Sequence, residues 1–439
     1  MERVTRSSAA AKPSPRTSAS PRRENSNGRE QQQQRRRDAA ASAARAGRSI
    51  KKEGVSPTRT GQQDPLHDVL TATLRGLRIR KQLRSESTAV INSIVDVIFR
   101  HLRSQKDCFS SVERLRTGSY YENVKIRQPD EFDVMLAIPV RSVEILPFDD
   151  EGAFYSVAVK GRCRTHPLEQ FVLENGVVSA NEMLTKFRKH VVNALKKAGM
   201  TDVQVERKKK GCPAVTLLVT EEDLDIGLDI VFGLAVHSSW PSFTNDGFKI
   251  EKWLGSKTKK NFKLKPFYLV PKYEGNGNEE LDGVCARDTW RISFSHVEKE
   301  ILKSHGSTKT CCEVEGTQCC RRECLKLLKH LLKALQDKYP KDLPKFYSYQ
   351  AKTTLLHACT VRVHDADWRI EDLAHCFHLL LEDFQRYLRE GYLPNYFIPT
   401  HNLLGSKCSQ RSCNLLADYI AFEQNNMFPI FFSNSCIRP

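Results

Sequence analysis

Two acidic residues embedded in an alternating apolar run constrain this chain more than any other feature. Glu131 and Asp133 stand two positions apart, with Phe132 between them and Val134 after them. Successive side chains of a β-strand point to opposite faces, so the two carboxylates share one face while the two apolar side chains face a core. The run therefore predicts a strand with paired acidic oxygens on one face.

Paired acidic oxygens next to a small turn are typical of metal-assisted phosphoryl transfer. Carboxylates on one face repel each other unless a cation lies between them, and their hard oxygens suit Mg²⁺ or Mn²⁺. Thr117, Gly118 and Ser119 precede the strand, and the backbone N–H groups and hydroxyl of this turn could hold a phosphate. A solvated pair of acids on an exposed strand edge is the alternative at this point.

A third acidic ligand is expected from a neighbouring element, because two-metal sites usually need one. Asp229 lies in the middle of the apolar run 224–232, where a charge is costly unless it is paired or binds a metal. Asp225 has the same strand parity but stands near the start of the run, where water can solvate it. We predict Asp229 as the third ligand, with Asp225 as the fallback. An ion pair with Arg or Lys is the alternative role for Asp229.

A histidine–cysteine cluster predicts a second metal centre. His305, Cys311, Cys312 and Cys319 follow the pattern H-x₅-C-C-x₆-C, and one imidazole with three thiolates completes a tetrahedral zinc shell. Adjacent cysteines bridge poorly to each other, because a disulfide needs a specific geometry. A full protein shell leaves no position for water, so we predict a structural zinc ion in a basic loop, residues 305–320. The alternative is a zinc loop that serves only folding or a dimer contact.

Positive charge is concentrated at the N-terminus. The formal net charge is +17 over 439 residues, and residues 1–60 hold 15 Lys or Arg against 5 Asp or Glu. This segment has no Phe, Trp or Tyr, so it cannot bury enough apolar surface to offset its ordering entropy. We predict a disordered basic tail over residues 1–62, and favour a nucleic-acid-binding arm over a mitochondrial transit peptide. The clustered cysteines and the lack of an apolar leader indicate a reduced compartment.

The apolar pattern divides the rest of the chain into two parts. Helical periodicity over residues 66–102, with a basic band between its apolar blocks, is followed by strand-like alternation and one helical stretch up to residue 236. From residue 240 onward helical patterns dominate. We therefore predict an α+β fold with two lobes: residues 63–238, with a long helix and a central β-sheet, and residues 239–439, mainly helical.

Several segments together resemble one family. TGSYYENVKI with EFDVM, LKPFYLVPK, TWRISFSHVEKEIL and HGSTKTCCEVEGTQCC are similar to the vertebrate cyclic GMP-AMP synthases, a branch of the nucleotidyltransferases that also include the oligoadenylate synthetases. The resemblance extends over about residues 66–431, and the histidine–cysteine insertion is specific to this branch. It implies a bilobal nucleotidyltransferase fold with a long spine helix and a Mab-21-type C-terminal lobe that carries the zinc loop.

The resemblance also implies roles for individual residues. The ligands of two Mg²⁺ or Mn²⁺ ions would be Glu131, Asp133 and Asp229. The ligands of one structural Zn²⁺ would be His305, Cys311, Cys312 and Cys319. The nucleotide contacts would be Thr117, Gly118, Ser119, Arg291, Ser293, Ser295, Glu298, Lys329, Ser348 and Tyr349. The DNA contacts would be Arg80, Lys81, Arg84, Lys299, Lys309, Arg322 and Lys326.

The implied activity is synthesis of 2′,3′-cyclic GMP-AMP from ATP and GTP, activated by double-stranded DNA. The implied protein is a cytosolic and nuclear sensor of innate immunity that binds DNA without sequence preference, as a homodimer on DNA. Its basic surfaces could also contact nucleosomes or anionic membranes. Two alternatives stay open: an RNA-activated enzyme like the oligoadenylate synthetases, and a non-catalytic Mab-21-like DNA-binding scaffold. The zinc loop argues against the first and the acidic triad against the second.

Overall fold

The computed structural model describes residues 64–433, except residues 127–129, 161–165, 222–223, 314–315, 317, 344–345 and 406–407. The predicted tail, residues 1–62, lies outside this part of the chain. The described residues form one compact unit. None of the helices in the described part has the length and apolar character needed to cross a membrane.

Two helices precede the sheet where the sequence predicted one continuous helical run. Helix α1 covers Pro65–Gly76 and helix α2 covers Lys81–Arg103. Asp64 caps α1 by accepting a hydrogen bond from a backbone N–H at 3.0 Å, and α1 ends at a glycine, a poor helix former. The expectation of one helix is wrong, because the backbone of Arg80, with a ψ of 135°, is not helical and divides the basic band. Helix α2 buries apolar side chains at helical spacing: Ile91, Ile94, Val95, Ile98 and Leu102.

Nine strands of the described chain form a mixed sheet at the centre of the fold. They are β1 (Glu113–Thr117), β2 (Glu131–Val140), β3 (Val143–Pro147), β4 (Tyr155–Val159), β5 (Val203–Val205), β6 (Ala214–Glu221), β7 (Leu224–Val236), β8 (Phe267–Pro271) and, after the hairpin of β9 (Glu280–Leu281) and β10 (Val284–Cys285), β11 (Trp290–Ser293). Their order is β1-β2-β7-β8-β11-β4-β3, with β6 also paired to β7 and β5 to β6. Strands β2 and β7 run parallel.

Two strands of this sheet come from beyond residue 238, in the part that the sequence predicted as mainly helical. Strand β8 pairs antiparallel with both β7 and β11. All five residues of β8 are buried, so the strand lacks the apolar–polar alternation that would mark it in the sequence. Strand β11 carries Arg291 and Ser293, two of the predicted nucleotide contacts. The sheet is therefore completed by the C-terminal half of the chain.

Helices cover the sheet and build the C-terminal region. Helix α3 (Gly118–Tyr121) is a single turn after β1, and α4 (Ala180–Lys197) packs against α2. The remaining helices are α5 (Glu251–Leu254), α6 (Ser256–Lys263), α7 (Ser295–Lys303), α8 (Arg321–Lys338), α9 (Ser348–Val361), α10 (Leu373–Glu390), α11 (Gln410–Asn425) and α12 (Pro429–Ser433). Helices α8, α9 and α10 pack against one another, and α1 lies against α8 and α10.

Two apolar clusters hold these layers together. The larger one joins α2 and α4 to the sheet and continues into the helical region. The smaller one includes Met135 and Ala137 of β2, which have the strand parity of Asp133 and therefore share its sheet face. Ala235 of β7 and Tyr268 and Val270 of β8 complete this smaller cluster. The smaller cluster therefore forms an apolar surface on the sheet face that carries the acidic residues.

Candidate active site and metal centre

Asp133 and Asp229 are direct neighbours on two parallel strands. In the register of β2 and β7, Asp133 pairs with Asp229, and Thr117 of β1 pairs with Asp133 from the other side. Side chains of directly paired residues share one face of a sheet, so the two carboxylates project together. Phe132 and Val134 are fully buried on the other face. The strand therefore has the two-faced alternation that its sequence predicts.

The other two predicted acids have different surroundings. Glu131, at the start of β2, is exposed, and its carboxylate accepts a hydrogen bond from Lys125 at 2.9 Å. Asp225 is exposed and precedes the part of β7 that pairs with β2. Thr216 of β6 donates a hydrogen bond to Asp229 at 2.6 Å, which orients that carboxylate. The register thus places Asp229, and not Asp225, next to the acids of β2.

The electrostatics of these carboxylates favour a cation. Burial, together with the charges of Glu131 and Asp229, raises the pKa of Asp133 to about 7. Burial also raises the pKa of Asp229, against the opposing hydrogen bond from Thr216. Uncompensated negative charge on hard oxygen ligands suits a divalent cation. Among the residues described, the three carboxylates do not converge within 4.8 Å, and the carboxylate of Glu131 is bonded to Lys125.

Gly118 begins the short helix α3, which lies next to the acidic pair. Its φ of +80° is in the left-handed region, and a Cβ there would overlap the carboxylate of Asp133. Glycine is the residue that meets both conditions without strain. The N–H groups of Glu122 and Val124 donate to the carbonyls of Gly118 at 3.1 Å and Ser119 at 3.0 Å, so the turn is held as a unit. The position of the Gly-Ser turn is therefore tied to that of Asp133.

A cleft of about 750 Å³ opens beside the acidic pair. Its volume is in the range of small-molecule pockets, about 300–1,000 Å³. The predicted nucleotide contacts that line it are Thr117, Gly118, Arg291, Ser293, Ser295, Glu298 and Tyr349. Three predicted contacts in the described part of the chain are not lining residues: Ser119, Lys329 and Ser348. The structure thus brings most of the predicted set together around one cavity.

Lys329 lies behind the α3 turn. Its Nζ donates a hydrogen bond to the carbonyl of Val124 at 2.9 Å. Burial, together with the charge of Lys352, lowers the pKa of Lys329 to about 8. An added anion would stabilise the charged form of this lysine, so its surroundings suit interaction with a phosphate.

Lys352 and Glu122 are cleft residues that the sequence reasoning missed. The ammonium of Lys352 donates to Glu122 at 2.8 Å and to Glu298 at 2.9 Å. The Tyr349 hydroxyl donates to Glu298 at 3.0 Å, and the Asn395 amide donates to that hydroxyl at 3.4 Å. All five residues line the cleft. Glu122 and Glu298 are separated from Lys352 by 230 and 54 positions in the sequence. The only local sign of a role for Lys352 was therefore a single lysine in a mostly apolar helix.

His305, Cys311, Cys312 and Cys319 form one cluster, with a ligand atom from each within 4.8 Å of the others. The Cys312 sulfur lies 3.5 Å from His305 Nε2, 3.9 Å from Cys311 Sγ and 3.8 Å from Cys319 Sγ. Metal–sulfur bonds of about 2.3 Å in a tetrahedron give ligand separations of about 3.8 Å, so these distances fit a zinc-sized ion. His305 Nδ1 lies 3.0 Å from the Leu302 carbonyl, which leaves Nε2 for a metal.

Asp365 fastens the loop that carries these ligands to the helical region. Its carboxylate accepts hydrogen bonds from the N–H groups of Ser307 at 2.8 Å and Thr308 at 2.9 Å, and from the Arg321 guanidinium at 2.7 Å. Arg321 is fully buried and lies over the ring of Trp368. Although burial acts in the opposite direction, the hydrogen bonds from Thr308, Ser307 and Arg321 hold the pKa of Asp365 well below its usual range.

Among the predicted DNA-contacting residues at the start of α2, Arg84 lies next to the α3 turn. Arg80 and Arg84 are exposed, whereas the side chain of Lys81 lies outside the described residues. Arg84 donates hydrogen bonds to the side chains of Asn123 at 3.1 Å and Tyr120 at 3.3 Å. A surface predicted to contact DNA is therefore bonded to the segment that contains the Gly-Ser turn.

The other predicted DNA contacts lie on α7, the metal loop and α8: Lys299, Lys309, Arg322 and Lys326. Lys299 donates to the Arg116 carbonyl of β1 at 2.7 Å. Burial and the nearby charges of Arg322 and Arg78 lower the pKa of Lys326. The carboxylate of Glu323, 3.7 Å from the Lys326 ammonium, acts in the opposite direction.

Comparison with protein families gives two adjacent matches. Residues 120–304 match the Mab-21 protein nucleotidyltransferase domain. Residues 320–422 match the Mab-21 protein HhH/H2TH-like domain. The division between them falls in the metal loop, later in the chain than the predicted lobe boundary at residues 238 and 239.

Curated relatives cover most of the chain. A cyclic GMP-AMP synthase of Sus scrofa is 44% identical over 368 residues, which are 83% of this chain and 72% of the relative. A cyclic GMP-AMP synthase of Mus musculus is 42% identical over 374 residues, 85% of this chain and 72% of the relative. A cyclic GMP-AMP synthase-like receptor of Magallana gigas is 27% identical over 338 residues, 74% of this chain and 52% of the relative.

Proposed function

Because the chain belongs to the cyclic GMP-AMP synthase family of Mab-21 nucleotidyltransferases, we propose that it makes 2′,3′-cyclic GMP-AMP from ATP and GTP when double-stranded DNA is bound. The family resemblance of its sequence motifs is confirmed, and the chain is a nucleotidyltransferase. The observation that supports the proposal most strongly is the direct pairing of Asp133, which lines the cleft, with Asp229 on the neighbouring strand.

Glu131, Asp133 and Asp229 are the proposed ligands of two divalent cations, Mg²⁺ or Mn²⁺. The raised pKa values of Asp133 and Asp229 support this role, since a cation would supply the charge compensation that the protein does not. When bound, such cations would lower the pKa of the attacking sugar hydroxyl and neutralise charge on the leaving pyrophosphate. Thr216 holds the Asp229 carboxylate in place through its 2.6 Å hydrogen bond.

The predicted nucleotide contacts, in the cleft and outside its lining, would orient the two nucleotides. Tyr349 offers an aromatic ring for a base, and the carboxylate of Glu298 can accept from a sugar hydroxyl or an amino group. Lys329, Gly118 and Ser119 would hold phosphate, and Ser348 would complete the ATP contacts. The proposed contacts of the guanine nucleotide are Thr117, Arg291, Ser293 and Ser295. Orientation of both reactants by fixed side chains is itself a large part of phosphoryl-transfer catalysis.

The histidine–cysteine cluster would hold a structural Zn²⁺. Three thiol sulfurs and one imidazole nitrogen form a closed donor set, and the carbonyl of Leu302 fixes the orientation of the His305 ring. The metal loop would then present a fixed basic surface to DNA. Binding through the phosphate backbone would be independent of sequence and would weaken steeply with salt.

DNA bound at the start of α2 would act on the active site through the α3 turn. Arg84 contacts both Tyr120 and Asn123, so a phosphate that draws this guanidinium away would change the support of the Gly-Ser turn.

The wider proposal includes a homodimer on DNA, a location in the cytosol and nucleus, and a role in innate immunity. Contacts with nucleosomes or anionic membranes through the basic surfaces also belong to it.

Product analysis separates this function from its two alternatives. The full chain is incubated with ATP, GTP and Mg²⁺, with double-stranded DNA, with double-stranded RNA or with neither, and the products are resolved by chromatography. We expect a cyclic dinucleotide with DNA only. Product with RNA but not DNA would favour an enzyme like the oligoadenylate synthetases, and DNA binding without any product would favour a scaffold.

Metal analysis of the purified protein tests the zinc site. We expect about one equivalent of zinc, and under about half an equivalent would contradict the proposed site.

A further inference from the structure

Lys352 joins two carboxylates that come from distant parts of the chain. Its ammonium on α9 donates to Glu122, after the α3 turn, and to Glu298 on α7. The three side chains are 15%, 1% and 4% exposed, respectively, so the bridge is shielded from water. Burial alone would lower the pKa of Lys352, but the charges of Glu122 and Glu298 raise it overall. The lysine is therefore a charged, largely shielded bridge between the two carboxylates.

One end of this bridge fixes the Gly-Ser turn. Glu122 is the C-terminal capping residue of α3, and its backbone N–H donates to the carbonyl of Gly118 at 3.1 Å. The next two N–H groups, of Asn123 and Val124, donate to Tyr120 at 3.3 Å and to Ser119 at 3.0 Å. Restraint of the Glu122 side chain by Lys352 therefore restrains the whole turn.

The other end lies where a nucleotide base is proposed to bind. Glu298 accepts hydrogen bonds from both Lys352 and the Tyr349 hydroxyl, and Asn395 donates to that hydroxyl. A base stacked on Tyr349, or a sugar hydroxyl on Glu298, would change the orientation of these groups. The Lys352 ammonium donates one hydrogen bond to Glu298 and another to Glu122. A change at Glu298 is therefore transmitted through Lys352 to the α3 turn.

No other described cation is bonded to Glu122 in a way that could replace Lys352. Lys329 donates to the Val124 carbonyl, and Lys125 pairs with the carboxylates of Asp130 and Glu131. The second carboxylate oxygen of Glu122 has no hydrogen-bond partner in the described part of the chain. Loss of Lys352 would leave the buried Glu122 carboxylate without a bonded cation among the described residues, which the segment could relieve by moving.

We propose that Lys352 is a positioning residue that couples occupancy of the base site at Tyr349 and Glu298 to the position of the Gly118–Ser119 turn. This coupling rests on the proposed function, because it assigns ATP to that end of the cleft. It makes the phosphate-holding turn respond to the bound nucleotide, in addition to any effect of DNA.

Hydrogen–deuterium exchange of the full chain tests the coupling without any turnover. The observed peptide covers residues 118–124, with and without saturating ATP and Mg²⁺, in the wild type, Lys352→Arg, Lys352→Met and Glu122→Gln. We expect ATP to slow exchange at residues 122–124 by about tenfold in the wild type and in Lys352→Arg. In Lys352→Met and Glu122→Gln the ATP-dependent slowing should be lost at an ATP concentration that has been shown to saturate each variant. Lys333→Met, an exposed lysine on α8, is the matched control.

Two outcomes would overturn the inference. One is the same ATP-dependent slowing in Glu122→Gln as in the wild type, a comparison that remains informative even if Lys352→Met fails to fold. The other is an absence of slowing in the wild type when ATP is bound. A wild type that shows the slowing but makes no cyclic dinucleotide would instead contradict the proposed function, so the two failures can be told apart.

Discussion

Gly118 lies so close to the carboxylate of Asp133 that no side chain atom fits between them. The glycine begins the turn proposed to hold phosphate, and the aspartate is a proposed metal ligand on the neighbouring strand β2. Because the two groups are so close, a displacement of either one would be resisted by, or passed on to, the other. Phosphate binding and metal binding are therefore expected to depend on the same contact.

We predict that Gly118→Ala lowers kcat by about a hundredfold while DNA binding is retained. The new methyl group would displace the Asp133 carboxylate, and displacements of about 1 Å at a reacting centre can cost about a hundredfold in rate. The measurement is steady-state synthesis of product at saturating DNA, with DNA affinity determined separately.

Gly176→Ala is the matched control for this substitution. Gly176 also has a left-handed backbone, with φ of +82°, but a Cβ there has no neighbouring atom within 4 Å. Both variants should lose about 1 kcal/mol of stability through backbone strain, whereas activity should fall only in Gly118→Ala. Equal activity in the two variants would contradict the proposed contact.

Asp365→Asn should weaken the metal centre without changing a single ligand. The amide cannot neutralise the buried guanidinium of Arg321, and it loses an acceptor for the N–H groups of Ser307 and Thr308. Loss of one partner of a buried ion pair typically costs about 3–5 kcal/mol. We expect a lower melting temperature and faster release of zinc to a chelator, by about tenfold or more.

The control for this prediction is Asp337→Asn. Asp337 pairs with Lys333 on the exposed face of α8, where an ion pair contributes little. Zinc release from this variant should match the wild type. If Asp365→Asn released zinc no faster than Asp337→Asn, the anchoring role of Asp365 would be refuted.

His296 should make stability fall at mildly acidic pH. Burial, together with the charge of Lys265, lowers its pKa to about 4 from the usual value of 6.5. The unfolded state then binds more protons than the folded state between these values, so stability is lost as pH falls from about 6.5 towards 4. Between pH 7.5 and pH 5 the wild type should lose about 2 kcal/mol more than His296→Phe. Urea unfolding of both proteins measures this difference, and an equal loss in both would be inconsistent with a neutral, buried His296.

The strand β2 and the acidic pair could be predicted from sequence because their signal is local. Alternation between Glu131 and Val134 defines a face over four residues, and Asp229 stands out as a charge within an apolar run. The metal cluster was equally accessible, since its four ligands lie within fifteen residues of one another. In each case the chemistry restricts the residue types and their spacing.

The rest of the site depends on contacts that no local pattern reveals. Lys352 reaches Glu122 across 230 residues, and a lysine on a helix is by default solvated. Strand β8 is buried on both faces, so it shows no period of two, and the helical region around it suggested a helical lobe. The break between α1 and α2 was missed because apolar spacing on both sides of Arg80 fits one helical period. Tertiary packing decided all three features.

The most direct test of the central claim compares Asp229→Asn with Asp225→Asn, two isosteric changes four residues apart on β7. Synthesis of cyclic GMP-AMP from ATP and GTP is measured with Mg²⁺ and saturating double-stranded DNA, and DNA affinity is measured in parallel. We predict that Asp229→Asn abolishes product while DNA affinity is retained, because Asp229 alone of the two pairs with Asp133. Asp225→Asn should remain active. Wild-type activity in Asp229→Asn, or loss of product only in Asp225→Asn, would contradict the account.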